Sequence, residues 1–268
     1  MSVRLSILVW YNSSMKDAFK TVLGLNAVSL LVLLNSGLRA FLLASKSAFT
    51  AAHVYDSKNL LSIPEVKLET ILNGIEPVVA LSVAKNESGR MPLDQAISLL
   101  SVLVKEQPKE VLEIGTFNGH TTSLMAQNLE NAIIHTVDLP EDFSSEVDTL
   151  KDIPKDDFHL ISKREVGKEY KNKRFSHRVV QHFGDSAVWD FKEAGNPTFF
   201  FIDGSHTYEY CKSDTEKCLE LCKGKGTFLW HDCDFGHPGV VKFLAEFRKG
   251  GYDVMRIQGT PLAYLSIK

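Results

Sequence analysis

The sequence lacks paired cysteines, a dominant charge, repeats and the glycine pattern of a dinucleotide enzyme, and each absence removes a class of function. Its four cysteines form no C-x-x-C pair, the arrangement a zinc site normally needs. Cys211, Cys218 and Cys222 instead recur seven and four residues apart, with Leu219 and Leu221 among them. That spacing places them on one stripe of a helix packed on a sheet, as buried, reduced thiols of a cytosolic chain. Lys and Arg number 30 against 33 Asp and Glu, a net charge of −3. This is too balanced to suggest a nucleic-acid partner or an acidic disordered chain. No internal repeat or low-complexity tract is present. A chain of 268 residues is ample for one α/β core and an extension.

What is present is an alternation of apolar strands and helices, which predicts a mainly parallel sheet. Strands are expected near 110–114, 132–138, 178–183, 198–202 and 226–231. Before them, Pro92 followed by Leu93, Ala96, Ile97, Leu99, Leu100 and Val104 reads as a helix packed on the sheet, ended by Pro108. Two further apolar runs, Tyr252–Gln258 and Leu262–Ile267, are joined only by Gly259-Thr260-Pro261. So short a link joins antiparallel strands but not parallel ones. The stretch 139–177 interrupts the alternation, acidic first and basic later. An insertion this long is read either as a lid or binding element or as a solvated, self-paired excursion.

The most informative run is Val111-Leu112-Glu113-Ile114-Gly115-Thr116-Phe117-Asn118-Gly119-His120-Thr121-Thr122. It reads as a buried strand, a glycine turn and a helix start whose free N–H groups face a ligand. Phe117 stands where G-x-G-x-x-G requires its second glycine, the one that admits a pyrophosphate, so NAD and FAD are disfavoured. Glu113 argues the same way, since a carboxylate repels a pyrophosphate but suits a cationic ligand such as S-adenosylmethionine.

Three more strand ends carry polar residues. Asp138 closes the second strand, where an acid can take both ribose hydroxyls of an adenosine or serve only as a strand-end residue. Asp185 and Ser186 follow the third, as adenine contacts or as plain helix caps. The apolar strand through Phe199-Phe200-Phe201-Ile202 delivers Asp203 and His206, and the next delivers His231 and Asp232. An imidazole near neutral pKa suits removal of a hydroxyl proton. Against this, His206 also reads as a helix-start residue bonded to backbone.

Glu113-Ile114-Gly115-Thr116-Phe117-Asn118-Gly119 resembles the first cofactor motif of class I S-adenosylmethionine-dependent methyltransferases, in particular the small-molecule O-methyltransferases of the catechol and macrocin type. The resemblance runs from about Leu93 to Lys268. It implies a Rossmann-like α/β fold, with a mainly parallel seven-stranded sheet, a C-terminal antiparallel hairpin and helices on both faces. It implies S-adenosyl-L-methionine as cofactor, held by Glu113, Gly115, Thr116, Gly119, Asp138, Leu139, Asp185 and Ser186. His206, Asp203 and His231 are implied as catalytic, with His206 as general base. Asp203, His231 and Asp232 form the candidate divalent-metal set. The catechol type carries Asp-Asn at the last position and the macrocin type paired carboxylates. His-Asp here weakens the case for Mg²⁺ and would admit zinc, iron or manganese.

The acceptor implied is a hydroxyl of a sugar, glycoside or phenol. The rival reading is a non-catalytic S-adenosylmethionine-binding module tethered to a membrane or partner. Residues 61–268 make up the expected methyltransferase domain, with 139–177 as a lid-like insertion, and 1–60 an N-terminal hydrophobic helical extension. Within that extension Thr21–Leu38 contains no charged residue and has the length threshold for a bilayer span. It reads as a membrane anchor or surface helix, or as a packing or homo-oligomer helix. A cleaved export signal would separate the enzyme from its cytoplasmic cofactor. Met15 is an alternative start.

Overall fold

In the computed structural model the described residues are 58–82, 90–141 and 164–268, and Asn59–Lys268 cluster as one unit. Residues 1–57 of the extension, with the Thr21–Leu38 segment and Met15, and residues 142–163 of the insertion lie outside the described residues. Among the described residues no helix is long and apolar enough to cross a membrane.

The chain runs β1 (Glu65–Val66), α1 (Leu68–Leu72), α2 (Leu93–Glu106), β2 (Glu110–Ile114), α3 (His120–Asn128), β3 (Ile133–Asp138), β4 (Val179–Phe183), β5 (Phe199–Ile202), α4 (Tyr208–Cys222), β6 (Gly226–Trp230), α5 (Pro238–Lys249), β7 (Met255–Ile257) and β8 (Ala263–Ile267). The strands form one sheet in the order β1-β7-β8-β6-β5-β2-β3-β4. β8 pairs antiparallel with both β6 and β7, and the other pairings are parallel. The expected strand–helix alternation and the terminal hairpin are therefore present.

The sheet has eight strands where seven were expected. The addition is β1, two residues that follow Pro64 and pair with β7. Nothing in so short a polar stretch announces a strand. Tertiary partners hold it: Arg256 N donates to Pro64 O (2.8 Å), Gln258 N donates to Val66 O (2.9 Å), and the Arg256 guanidinium lies 3.1 Å from Glu65.

The central strands are apolar throughout because both their faces are covered. Leu112, Ile114, Phe200, Ile202, Phe228 and Trp230 pack on α4 and α5 through Cys211, Cys218, Val241 and Leu244. Val111, Phe199, Phe201 and Leu229 face α2 and α3 through Leu99, Leu100, Leu103, Leu124 and Met125. The alternation is the two-residue period of a strand. All four cysteines are free and buried.

Register places the chemistry. Ile114 pairs with Val137 on one side and Ile202 on the other, and Ile202 pairs with Trp230. The next residues, Gly115, Asp138, Asp203 and His231, consequently form one row at the carboxyl edge of the sheet. The strand order reverses between β2 and β5, the position at which open α/β sheets bind ligands.

Candidate active site

A cleft of about 310 Å³ opens over this row. Of the expected cofactor residues, Gly115, Thr116, Asp138, Leu139, Asp185 and Ser186 line it, as do the expected catalytic residues Asp203, His206 and His231, with Asp232. Gly119 and Glu113 do not line it.

The glycine turn explains the floor of the cleft. Gly115 has φ +99°, and a Cβ there would fall 2.0 Å from the Asp203 carbonyl oxygen. Only glycine permits this contact between β2 and β5. Gly119 caps α3 at φ 80°, and a side chain there would strike the Tyr170 ring at 2.6 Å. Phe117, in place of the second glycine, also takes a left-handed conformation at φ 49°. Its N–H donates to Asp138 Oδ2 (2.6 Å).

Asp138 is the polar hub of the adenosine end. Oδ1 accepts from Leu139 N (2.7 Å) and Arg164 Nη2 (2.7 Å). Burial raises the Asp138 pKa, outweighing the opposing effects of Arg164 and of the two backbone N–H donors. Asp185 accepts from Ala187 N at 2.9 Å and from the Tyr210 hydroxyl at 3.1 Å. Arg164 and Tyr210 both line the cleft.

The described end of the insertion is sewn to the glycine turn. Gly167 N donates to Phe117 O (3.1 Å) and Glu169 N to Asn118 O (2.9 Å). Val166, Tyr170 and Phe175 are buried. Residues 164–175 thus pack against the glycine turn, and Arg164 among them lines the cleft.

Glu113 lies beneath the turn instead of at the ligand. It is fully buried and accepts from Thr122 Oγ1 (2.5 Å) and Thr136 Oγ1 (2.6 Å). Thr116 and Gln181 extend this network, which ends on the Tyr170 hydroxyl. Burial pushes the Glu113 carboxyl up to about 8 against the pull of the two threonines. The strand period turns Glu113 to the α3 side, while the cleft opens above the strand end, so Glu113 does not line it.

At the other end of the cleft, imidazoles and carboxylates converge. His206 Nε2 lies 2.9 Å from Asp232 Oδ2. His231 Nδ1 lies 2.9 Å from Asp232 Oδ1 and 3.2 Å from Asp203 Oδ1, and its Nε2 meets Gln95 Oε1 at 2.7 Å. Burial would lower the His231 pKa, but Asp203 and Asp232 override it and lift it to about 11. The same neighbours, His206 and His231, hold the Asp232 carboxyl well below its usual range although burial opposes this. Asp232 sits at φ 60°, a strained backbone for a non-glycine residue of the kind retained at functional sites. His237 Nδ1 adds a further contact, 3.4 Å from Asp232 Oδ1.

Sequence reasoning did not single out Arg90, Gln95, His120, Arg164, Tyr210 or His237. Of these only His120, next to the glycine turn, stood within a recognised motif.

Residues 112–233 match the family model for a methyltransferase domain. No curated protein sequence matches. Solved structures with a similar fold include TomG, an O-methyltransferase of Streptomyces achromogenes in complex with S-adenosylmethionine, at 17% identity over 67% of this chain and 82% of that one (TM-score 0.46). Another is an S-adenosylhomocysteine-bound methyltransferase of Podospora anserina, at 14% identity over 67% and 80% (TM-score 0.48). A third is a Bacillus cereus O-methyltransferase in complex with S-adenosylhomocysteine, at 16% identity over 68% and 84% (TM-score 0.45). The glycine turn, the strand-end acid of β3 and the sheet order lie within or beside the stretch, residues 112–233, that matches a methyltransferase domain.

Proposed function

We propose that the domain transfers the methyl group of S-adenosylmethionine to a hydroxyl oxygen of a small molecule, of the sugar, glycoside or phenol class. The observation that supports this is the His206–Asp232 pair, 2.9 Å apart, on the wall of the cleft opposite Asp138. A hydroxyl attacking the methyl carbon forms an O–C bond as the S–C bond breaks, leaving S-adenosylhomocysteine. The hydroxyl proton must leave as attack proceeds. With Asp232 beside it, His206 takes that proton, and the carboxylate stabilises the resulting imidazolium. Asp203 positions the acceptor hydroxyl, and the His231 ring, as a donor, opposes the charge that builds on its oxygen. A non-catalytic binding module would have no use for this second cluster, so that reading is not favoured.

Asp203, His231 and Asp232 also fit a divalent cation. Each offers one ligand atom and these lie within 4.8 Å of one another, and Gln95 fixes the far nitrogen of His231 as an outer partner does at metal sites. A ring nitrogen among two carboxylates suits zinc, iron or manganese better than Mg²⁺. Such an ion would supply Lewis-acid polarisation of the acceptor hydroxyl. A cytoplasmic setting accords with four free, buried thiols.

The test is single-turnover transfer from labelled S-adenosylmethionine by the full-length chain, against a panel of sugars, glycosides and phenols. Labelled O-methyl product from one class is expected. Tight S-adenosylhomocysteine binding without transfer to any oxygen acceptor would favour the binding-module reading instead.

A further inference from the structure

α4 presents a stripe of three polar side chains to the loop that follows β4. Tyr210, Asp214 and Lys217 stand four and three residues apart, so they share one face of the helix. All three grip residues 184–187, of which Gly184, Asp185 and Ser186 line the cleft. The Tyr210 hydroxyl donates to Asp185 Oδ2 at 3.1 Å. Lys217 Nζ donates to the carbonyls of Ser186 (2.5 Å) and Ala187 (2.6 Å). Between these two, Asp214 accepts from the Ser186 hydroxyl.

Asp214 is the member that packing alone does not explain. It is 1% exposed and lies behind Gly204, where a Cβ would come within 3.7 Å of its Oδ2. Its Oδ1 is buried without a hydrogen-bond partner among the described residues. A neutral side chain would hold Ser186 at less cost, so a buried acid with one oxygen unmet points to a task for its charge. The groups that face it are Cys211, Lys217 and Cys218 on α4, and Asp185 and Ser186 on the loop. Burial raises its pKa to about 7, against the pull of Ser186 and Lys217 and with Asp185 adding to the rise.

The two charge states direct the Ser186 hydroxyl in opposite senses. A carboxylate only accepts, so the serine O–H turns to Asp214 and the oxygen lone pairs are left for the cleft. A carboxylic acid can donate to that oxygen, which occupies a lone pair and frees the serine hydrogen. We infer that Asp214 is a positioning residue for the cofactor's adenine: ionised, it holds Ser186 as an acceptor for the exocyclic amine, and protonated, it withdraws that acceptor. Cofactor affinity therefore rises with pH. The inference rests on the methyltransferase reading and deepens it.

The test is calorimetric binding to the full-length chain at about pH 6 and about pH 8, on either side of the Asp214 titration. The ligands are S-adenosylhomocysteine and its 6-deamino analogue, which carries hydrogen in place of the exocyclic amine. Wild type should bind S-adenosylhomocysteine about fivefold tighter at the higher pH, the worth of one hydrogen bond. The analogue should lack this step. Asp214→Asn, which cannot ionise, and Ser186→Ala, which has no hydroxyl to orient, should each bind S-adenosylhomocysteine without it. Titration elsewhere in the cleft affects wild type and variants alike, so the reading is the difference between them. A step that persists in Asp214→Asn or in Ser186→Ala would overturn the inference. So would a step of equal size for the analogue, or an Asp214→Asn loss that is the same at both pH values, which is what a purely structural role gives. Should Asp214→Asn fail to fold, Ser186→Ala decides alone. If wild type binds neither ligand at either pH, the cofactor reading fails and the inference falls with it.

Discussion

Arg164 Nη2 stands 2.7 Å from Asp138 Oδ1, so the acid at the end of β3 is bonded to the insertion as well as to the glycine turn. Asp138 accepts from Phe117 N and Leu139 N at the same time. One carboxylate thereby ties three segments around the adenosine end. S-adenosylhomocysteine should raise the melting temperature of the wild type, because a ligand that binds only the folded state stabilises it by mass action. Asp138→Ala should abolish most of that rise. Asp138→Asn, which keeps the size, should lose about tenfold or more in affinity, as expected for a lost charge-assisted hydrogen bond. A full thermal shift in both variants would remove Asp138 from the ribose site.

His206 faces the acceptor cluster, away from the adenosine end, so its loss should affect rate and not cofactor affinity. His206→Ala should lower turnover by about a hundred- to ten-thousand-fold, the usual contribution of a general base. The S-adenosylhomocysteine dissociation constant should stay nearly unchanged. Asp232→Asn keeps the shape of the pair but removes the charge that steadies the imidazolium, and should lower turnover in the same direction. If His206→Ala turns over as fast as wild type, proton removal belongs to another residue of the cluster.

Metal at the acceptor cluster is open to a direct measurement. Full-length protein treated with a chelator should bind one equivalent of Mn²⁺ or Zn²⁺, read by calorimetry and by metal content after desalting. Mg²⁺ should bind more weakly, because His231 supplies nitrogen where Mg²⁺ prefers oxygen. Asp203→Ala should abolish the binding. Stoichiometric binding that survives Asp203→Ala places the ion elsewhere. Transfer activity that survives chelation without loss leaves Asp203 as a partner of His231, and Asp232 as a partner of both His206 and His231, with no metal role.

The parts of the site that were legible in the sequence are those carried by strand ends. Asp138, Asp203 and His231 each follow an apolar run, and parallel register brings such ends into one row. The glycine turn was legible because Gly115 and Gly119 mark close approaches, and the structure shows both. The residues that escaped notice come from elsewhere. Gln95 projects from α2 and meets His231 across 136 positions, and Arg164 reaches Asp138 from an insertion with no regular period. β1 escaped for a related reason, since its pairing with β7 comes from tertiary contact and not from any apolar pattern of its own. Glu113 is the converse case. Its place beside the turn suggested a ligand contact, but alternation along β2 sends it under α3.

That buried acid gives the last prediction. The Glu113 pKa is about 8 in the fold against an ordinary 4.5, raised by burial, with the charges of Asp203 and Asp138 adding to it and the threonines opposing. A group with a raised folded pKa contributes stability that is fully present below its unfolded pKa and lost as pH rises through the folded one. The wild-type melting temperature should therefore fall between about pH 5 and pH 8, beyond what other groups cause. Glu113→Gln keeps an oxygen for Thr122 and Thr136 but cannot ionise. At pH 5 it should melt near or slightly below wild type. At pH 9 it should melt above wild type by roughly 5 °C or more, given about 2–4 °C per kcal/mol for a domain of this size. The measurement is the difference in melting temperature between variant and wild type across that range. A difference that stays flat with pH would show that Glu113 ionises in the fold as it does in water, and that the hydroxyl network under the glycine turn holds a charged carboxylate.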